Sequence, residues 1–197
     1  MTKEESHKAT LQFLNTIDKE GLYHYNSKYF DEAFSENFMN FGIIFSNVFF
    51  EIAKKYSLLE TSDENILIFF TYCKMSFIIS NLEAIKKLLK ILVNPKLLKD
   101  EFNEDTTLGQ MLYKICKKLE CDDKIWKTNM DLFYVNFRNA IAHQNYLLSK
   151  DGLTIFHKDE SKKRTFGWMQ LNEVSDDVTG IFDAFTEYSV RKLKETY

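Results

Sequence analysis

Residues 122–146 read DDKIWKTNMDLFYVNFRNAIAHQNY, and the fold turns on how that stretch is understood. Asp122 and Asp123 stand where acidic side chains favour a helix start. Trp126, Met130, Phe133, Phe137 and Ile141 then follow at steps of four, three, four and four. Such spacing places all five on one face, so the stretch predicts a single helix with that face turned to the core. Its C-terminal end carries Arg138, Asn139 and His143, the residues with the most chemical potential in the chain.

Upstream, Thr106 or Thr107 can cap a helix running to about Leu119, with Leu108, Met111, Leu112, Ile115 and Cys116 as its buried stripe. A longer helix is expected from a Ser62 N-cap to about Val93, where Asn94 and Pro95 stop it. Another is expected over Ser35 to Tyr56, because Phe38, Phe41, Ile44, Phe45, Val48, Phe49 and Ile52 recur at threes and fours. The first helix should run from about Lys3 to Asp18, ending before Gly21, while Tyr23 to Phe30 is aromatic without periodicity. Downstream the pattern changes. Leu153 to His157 and Arg164 to Leu171 are short segments rich in aromatic and β-branched residues, split by the charged turn Lys158 to Lys163, and they predict a small β-hairpin. A last helix, about Asn172 to Lys194, should carry Glu173, Asp176 and Asp177 in its first turns and pack through Val178, Ile181, Phe182 and Phe185.

The fold class is therefore mainly α. Six glycines and the single Pro95 are too few to punctuate a many-stranded sheet, and 45% hydrophobic with 28% charged residues is ordinary for a globular chain. With 197 residues and no linker-like stretch, one domain over 1–197 is expected. Cys73, Cys116 and Cys121 are odd in number and lack zinc spacing, which fits reduced thiols in an intracellular protein. The N-terminus has charged residues where a secretory signal needs an apolar run. Phe41 to Phe50 and Ile66 to Ser80 are interrupted by polar residues and fall short of a membrane span, so a cytoplasmic, membrane-free location is expected. A net charge of -3 offers no general attraction for nucleic acid. Two local basic stretches do exist, Lys86, Lys87, Lys90, Lys96 and Lys99, and Lys158, Lys162, Lys163 and Arg164, and solvated helix and turn faces explain these as well.

Several chemistries are excluded by spacing. The glycines form neither a P-loop nor a dinucleotide fingerprint, and no GxSxG, HExxH or EF-hand loop occurs, so no cofactor is expected. His157, Asp159 and Glu160 read as a charged turn, and no metal is expected. What remains is RNAIAHQNY at 138–146. Asn139 and His143 lie four apart on a helix, so the amide can orient the imidazole, with Arg138 beside them. An imidazole can take or give a proton near neutral pH, and a guanidinium stays charged and suits a phosphate. Metal-free RNA cleavage needs both. A purely structural alternative stands beside this: Arg138 may be replaced in that role by an ion pair with Asp131 or another carboxylate, and His143 with Asn139 can close the helix C-terminus. Tyr146 can stack on a base as part of a substrate site, or be buried under the hairpin.

The segment resembles the HEPN superfamily, whose signature is an arginine, a polar residue, and a histidine after a gap of four to six; Arg138, Asn139 and His143 match it. The apolar Phe137, Ala140, Ile141 and Ala142 and the strand-like Gly152-Leu-Thr-Ile-Phe are similar to that superfamily's late helix and hairpin. The resemblance implies an up-and-down helical bundle that dimerises, and a metal-independent endoribonuclease releasing 2′,3′-cyclic phosphate ends. It assigns proton transfer to His143, phosphate binding to Arg138 and support to Asn139. It further implies a toxin or antiviral-defence role, RNA as substrate, a homodimer and an antitoxin or other regulatory partner protein. Tyr146 follows His143 by three residues, whereas toxins silenced by adenylylation carry a tyrosine two residues on. A non-catalytic helical module for dimerisation or partner binding is the second reading, supported by the acidic balance and the abundance of phenylalanine and tyrosine.

Overall fold

The computed structural model describes residues 1–23, 51, 55, 63–93, 102, 105–156 and 163–196. Within them the chain is mainly α: six helices, and a small antiparallel sheet placed before the last helix. They are α1 (Lys3–Lys19), α2 (Glu64–Leu92), α3 (Leu108–Lys118), α4 (Asp123–Leu132), α5 (Val135–Ala142) and α6 (Trp168–Thr196). The helix expected over Ser35 to Tyr56, most of the aromatic stretch from Tyr23 to Phe30, and most of the turn 158–163 lie outside the described residues.

Capping chemistry explains where the helices start. Thr2 and Glu5 form a reciprocal capping box on α1, and Thr107 and Gln110 do the same on α3. On α2 it is Asp63, not Ser62, whose carboxylate accepts from the backbone N–H groups of Asn65 and Ile66. Met75, Ile78, Leu82, Ile85, Leu89 and Leu92 of α2 are buried at steps of three and four, giving it a continuous core stripe. The sequence suggested no span here, yet the helix runs without interruption for 29 residues and is long and apolar enough, by length and composition, to cross a membrane. The same features suit a helix packed inside a protein, and α2 packs along α6.

α1 lies against α6 in the most extensive helix contact of the described residues. Ser6 sits in that seam fully buried, its hydroxyl reaching both Lys3 O and Asp177 O at 2.9 Å. Further along, the Tyr188 hydroxyl donates to Asp18 at 2.7 Å, and Lys192 pairs with the same carboxylate at 2.6 Å. Burial first, then the hydrogen bond to Asp18 and that carboxylate's charge, push the Tyr188 phenol up to about 12. In the unfolded chain the phenol ionises near its ordinary value of about 10. Stability from this group is thus complete below about pH 10 and is lost as pH rises towards about 12. Tyr188→Phe is expected to remove this component of the alkaline loss, which urea unfolding of both proteins at pH 8 and at about pH 11 would reveal. Equal alkaline sensitivity of the two would contradict it.

The sheet has three strands in the order β1-β2-β3: β1 (Tyr146–Ser149), β2 (Gly152–Phe156) and β3 (Lys163–Phe166). The expected hairpin is present as β2 and β3, with Leu153 opposite Phe166. A strand the sequence reading missed, β1, pairs with β2 and sets Tyr146 opposite Ile155. The second hairpin strand ends at Phe166, and α6 begins at Trp168 rather than near Asn172. Gln170 explains this, because its side-chain oxygen caps the N–H of Gly167 at 3.0 Å. Glu173, Asp176 and Asp177 consequently sit beyond the first turn of α6.

Candidate functional site

The helix expected from Asp123 to His143 is two helices. Tyr134 between them is left-handed, at φ 49 and ψ 36, a conformation costly for a side chain bearing a Cβ. That turn carries the phenol to α6, where its hydroxyl donates to Asp177, a carboxylate only 1% exposed. Burial and the hydrogen bond to Asp177 raise the Tyr134 pKa well above its usual value. The apolar stripe nevertheless survives the break: Phe133 and Phe137 are buried, and Trp126, Met130 and Ile141 pack against the core.

α5 ends on His143 in a Schellman arrangement. Gln144 is left-handed at φ 58, Asn145 N–H donates to Ala140 O at 2.8 Å, and Gln144 N–H donates to Ile141 O at 3.0 Å. Asn145 O then accepts from Phe156 N–H at 2.9 Å, which pins the end of β2 beside the helix terminus. Between them lies a pocket of about 320 Å³ lined by Thr107, Asn136, Asn139, Ala140, His143, Asn145 and Phe156. Positions 136, 139, 140 and 143 are three, four and seven apart, one face of α5.

Asn139 and His143 are therefore brought to one pocket, with the imidazole exposed. The expected orientation of the imidazole by the amide is not what links them. They share the backbone bond from His143 N–H to Asn139 O at 3.0 Å, while the Asn139 side-chain oxygen faces Arg138 Nη1 at 3.4 Å. Arg138 itself turns towards α2. Its Nε and Nη2 both approach Glu83 Oε1 at 2.7 Å, and its side chain is 13% exposed. The carboxylate that pairs with it is thus Glu83 and not Asp131, which borders a neighbouring cavity of about 480 Å³. Asn136 lines both cavities, and Arg164 borders the second, its guanidinium lying 4.6 Å from the Phe166 ring centroid.

Tyr146 lies on β1, half-buried against the core, and is not among the residues lining the His143 pocket. Of the basic stretches, Lys86, Lys87 and Lys90 follow Glu83 on α2, and Lys163 and Arg164 are exposed on β3. Lys96, Lys99, Lys158 and Lys162 lie outside the described residues, as do His157, Asp159 and Glu160. Asn136 was legible in principle, being seven residues before His143 on the same helix face. Glu83, Thr107 and Phe156 come from distant elements that no local spacing connects to the motif. The chain matches no protein-family model, no curated protein and no solved structure.

Proposed function

We propose that this chain is a metal-independent endoribonuclease of the HEPN type, a soluble cytoplasmic toxin or antiviral-defence effector that acts as a homodimer with the two copies' motifs facing one cleft. The observation that supports this best is the cluster at the end of α5: an exposed histidine in a polar pocket, with a pre-positioned arginine one residue from the asparagine that shares that pocket. In the reaction, His143 takes the proton of the ribose 2′-hydroxyl and O2′ attacks the adjacent phosphorus. The O5′ bond breaks as the histidine of the second copy returns a proton, leaving a 2′,3′-cyclic phosphate and a free 5′-hydroxyl. Arg138 balances the charge on the phosphorane.

Glu83 must release Arg138 for that last role, since a neutralised guanidinium contributes little to phosphate binding. Glu83→Gln is expected to tighten binding of a 2′-O-methyl RNA, which lacks the attacking hydroxyl, by about threefold to tenfold, on the order of 1 kcal/mol. Fluorescence anisotropy would measure this, and the gain should vanish when Arg138→Ala is added. Unchanged or weaker binding would mean that the Arg138–Glu83 pair only ties α5 to α2. The reading as a whole is tested by incubating the protein with a mixed RNA pool in excess EDTA and mapping product ends. Cleavage with cyclic phosphate ends supports it, and metal-dependent cleavage refutes it.

The second reading, a non-catalytic dimerisation or partner-binding module, is favoured by the already satisfied charge on Arg138 and by Phe69 and Tyr72 of α2, which are 49% and 50% exposed. It predicts no cleavage under any of these conditions, with or without an antitoxin or regulatory partner.

A further inference from the structure

We infer that the pocket beside His143 holds one unstacked adenine of a single-stranded RNA, so that the enzyme cuts next to that base; this rests on the ribonuclease reading above. The lining residues include no aspartate, glutamate, lysine or arginine. A phosphate, a metal cation or a carboxylic acid would find no opposite charge there. What the pocket offers instead is three carboxamides, a hydroxyl, an imidazole and the Phe156 ring in about 320 Å³. A flat, neutral group rich in hydrogen-bonding edges fits that set, and a nucleobase is such a group.

The carboxamides also discriminate among bases. A carboxamide carries an acceptor and a donor side by side, and adenine presents the matching donor and acceptor, so the pair is bidentate. Guanine's O6 and N7 call for two donors, as an arginine or lysine supplies, and the cytosine amino group is read best by a carboxylate. Uracil has a comparable edge but only one ring to lay on Phe156. Among the described residues the side chains of Asn136 and Asn145 have no hydrogen-bond partner, which leaves both amides available to a ligand. Phe156 is half-buried and its backbone is fixed on Asn145 at 2.9 Å, so its ring is a prepared stacking surface. Asn136 opens in turn onto the cavity bordered by Arg164, which gives the strand's next phosphate a cation.

The test is a titration of isotope-labelled protein, in EDTA, with the four nucleoside 3′-monophosphates, followed by NMR. Adenosine monophosphate is expected to move the side-chain amide signals of Asn136 and Asn145 and to bind about fivefold or more tighter than the other three. Phe156→Ala and Asn136→Ala should each weaken it by about tenfold with the melting temperature unchanged. If Asn136→Ala unfolds the chain, Asn145→Ala reads the same contact from the other side of the pocket. Adenine-selective binding without RNA cleavage would overturn the ribonuclease reading and keep the pocket. Cleavage that ignores adenine and is unaffected by these variants would overturn the pocket and keep the ribonuclease. Equal response to all four nucleotides at millimolar concentration, or none, overturns the pocket outright.

Discussion

His143→Ala is expected to lower EDTA-resistant RNA cleavage by about 10²–10⁴-fold, the range that removal of a positioned general acid–base group produces. The same substitution should leave folding nearly untouched. His143 is exposed, it makes no side-chain hydrogen bond among the described residues, and the bonds closing α5 run through backbone atoms of Asn139, Ala140 and Ile141. Activity lost with thermal unfolding unchanged is therefore a catalytic result. Arg138→Ala is a less clean variant, because it leaves Glu83 without the cation it pairs with and loosens α5 from α2. The two should be read together: toxicity on expression is expected to disappear in both, and stability to fall only in the second. Cleavage at the parent rate in His143→Ala would reduce that residue to a helix terminator and leave the binding-module reading in possession.

The reach of sequence reasoning here follows the range of each signal. Helix periodicity is local, and it recovers α1, α2, α3 and the core stripe through Phe133 and Phe137. The break at Tyr134 has no local signal, since neither glycine nor proline marks it. Its cause lies 43 residues on, at Asp177, where the buried carboxylate takes the phenol's hydrogen bond. Arg138 shows the same limit in the candidate site. Its spacing from Asn139 and His143 was visible, but a helix turns them to different neighbours, and Glu83, 55 residues away, decides which way the guanidinium points. The pocket itself is assembled by α3, α5, the turn after α5 and β2, so only its α5 face could be read from one segment. β1 escaped notice because its four residues, Tyr146–Ser149, are too short for alternation to register before the chain reverses at Gly152.

Gly180→Ala is expected to destabilise the protein by about 2 kcal/mol, and Gly180→Val by about 3 kcal/mol or more. Intrinsic helix preference argues the reverse, since alanine inside a helix is favoured over glycine by about 1 kcal/mol. Packing decides against it. A Cβ at position 180 of α6 would lie 2.3 Å from Lys3 O and 2.5 Å from Ser6 Oγ. The first is backbone and cannot swing aside; the second is a buried hydroxyl already committed to Lys3 O and Asp177 O. One methyl group must therefore push α1 away from α6, which opens the seam holding Ser6, Thr10 and Leu14 and forfeits bonds that burial leaves no water to replace. Valine adds two more carbon atoms to the same contact. Urea unfolding of the three proteins measures the series directly. A more stable Gly180→Ala would show that helix preference outweighs the close approach and that α1 is free to shift on α6. The ordering glycine, alanine, valine in falling stability would make that glycine the residue that permits the two helices to meet.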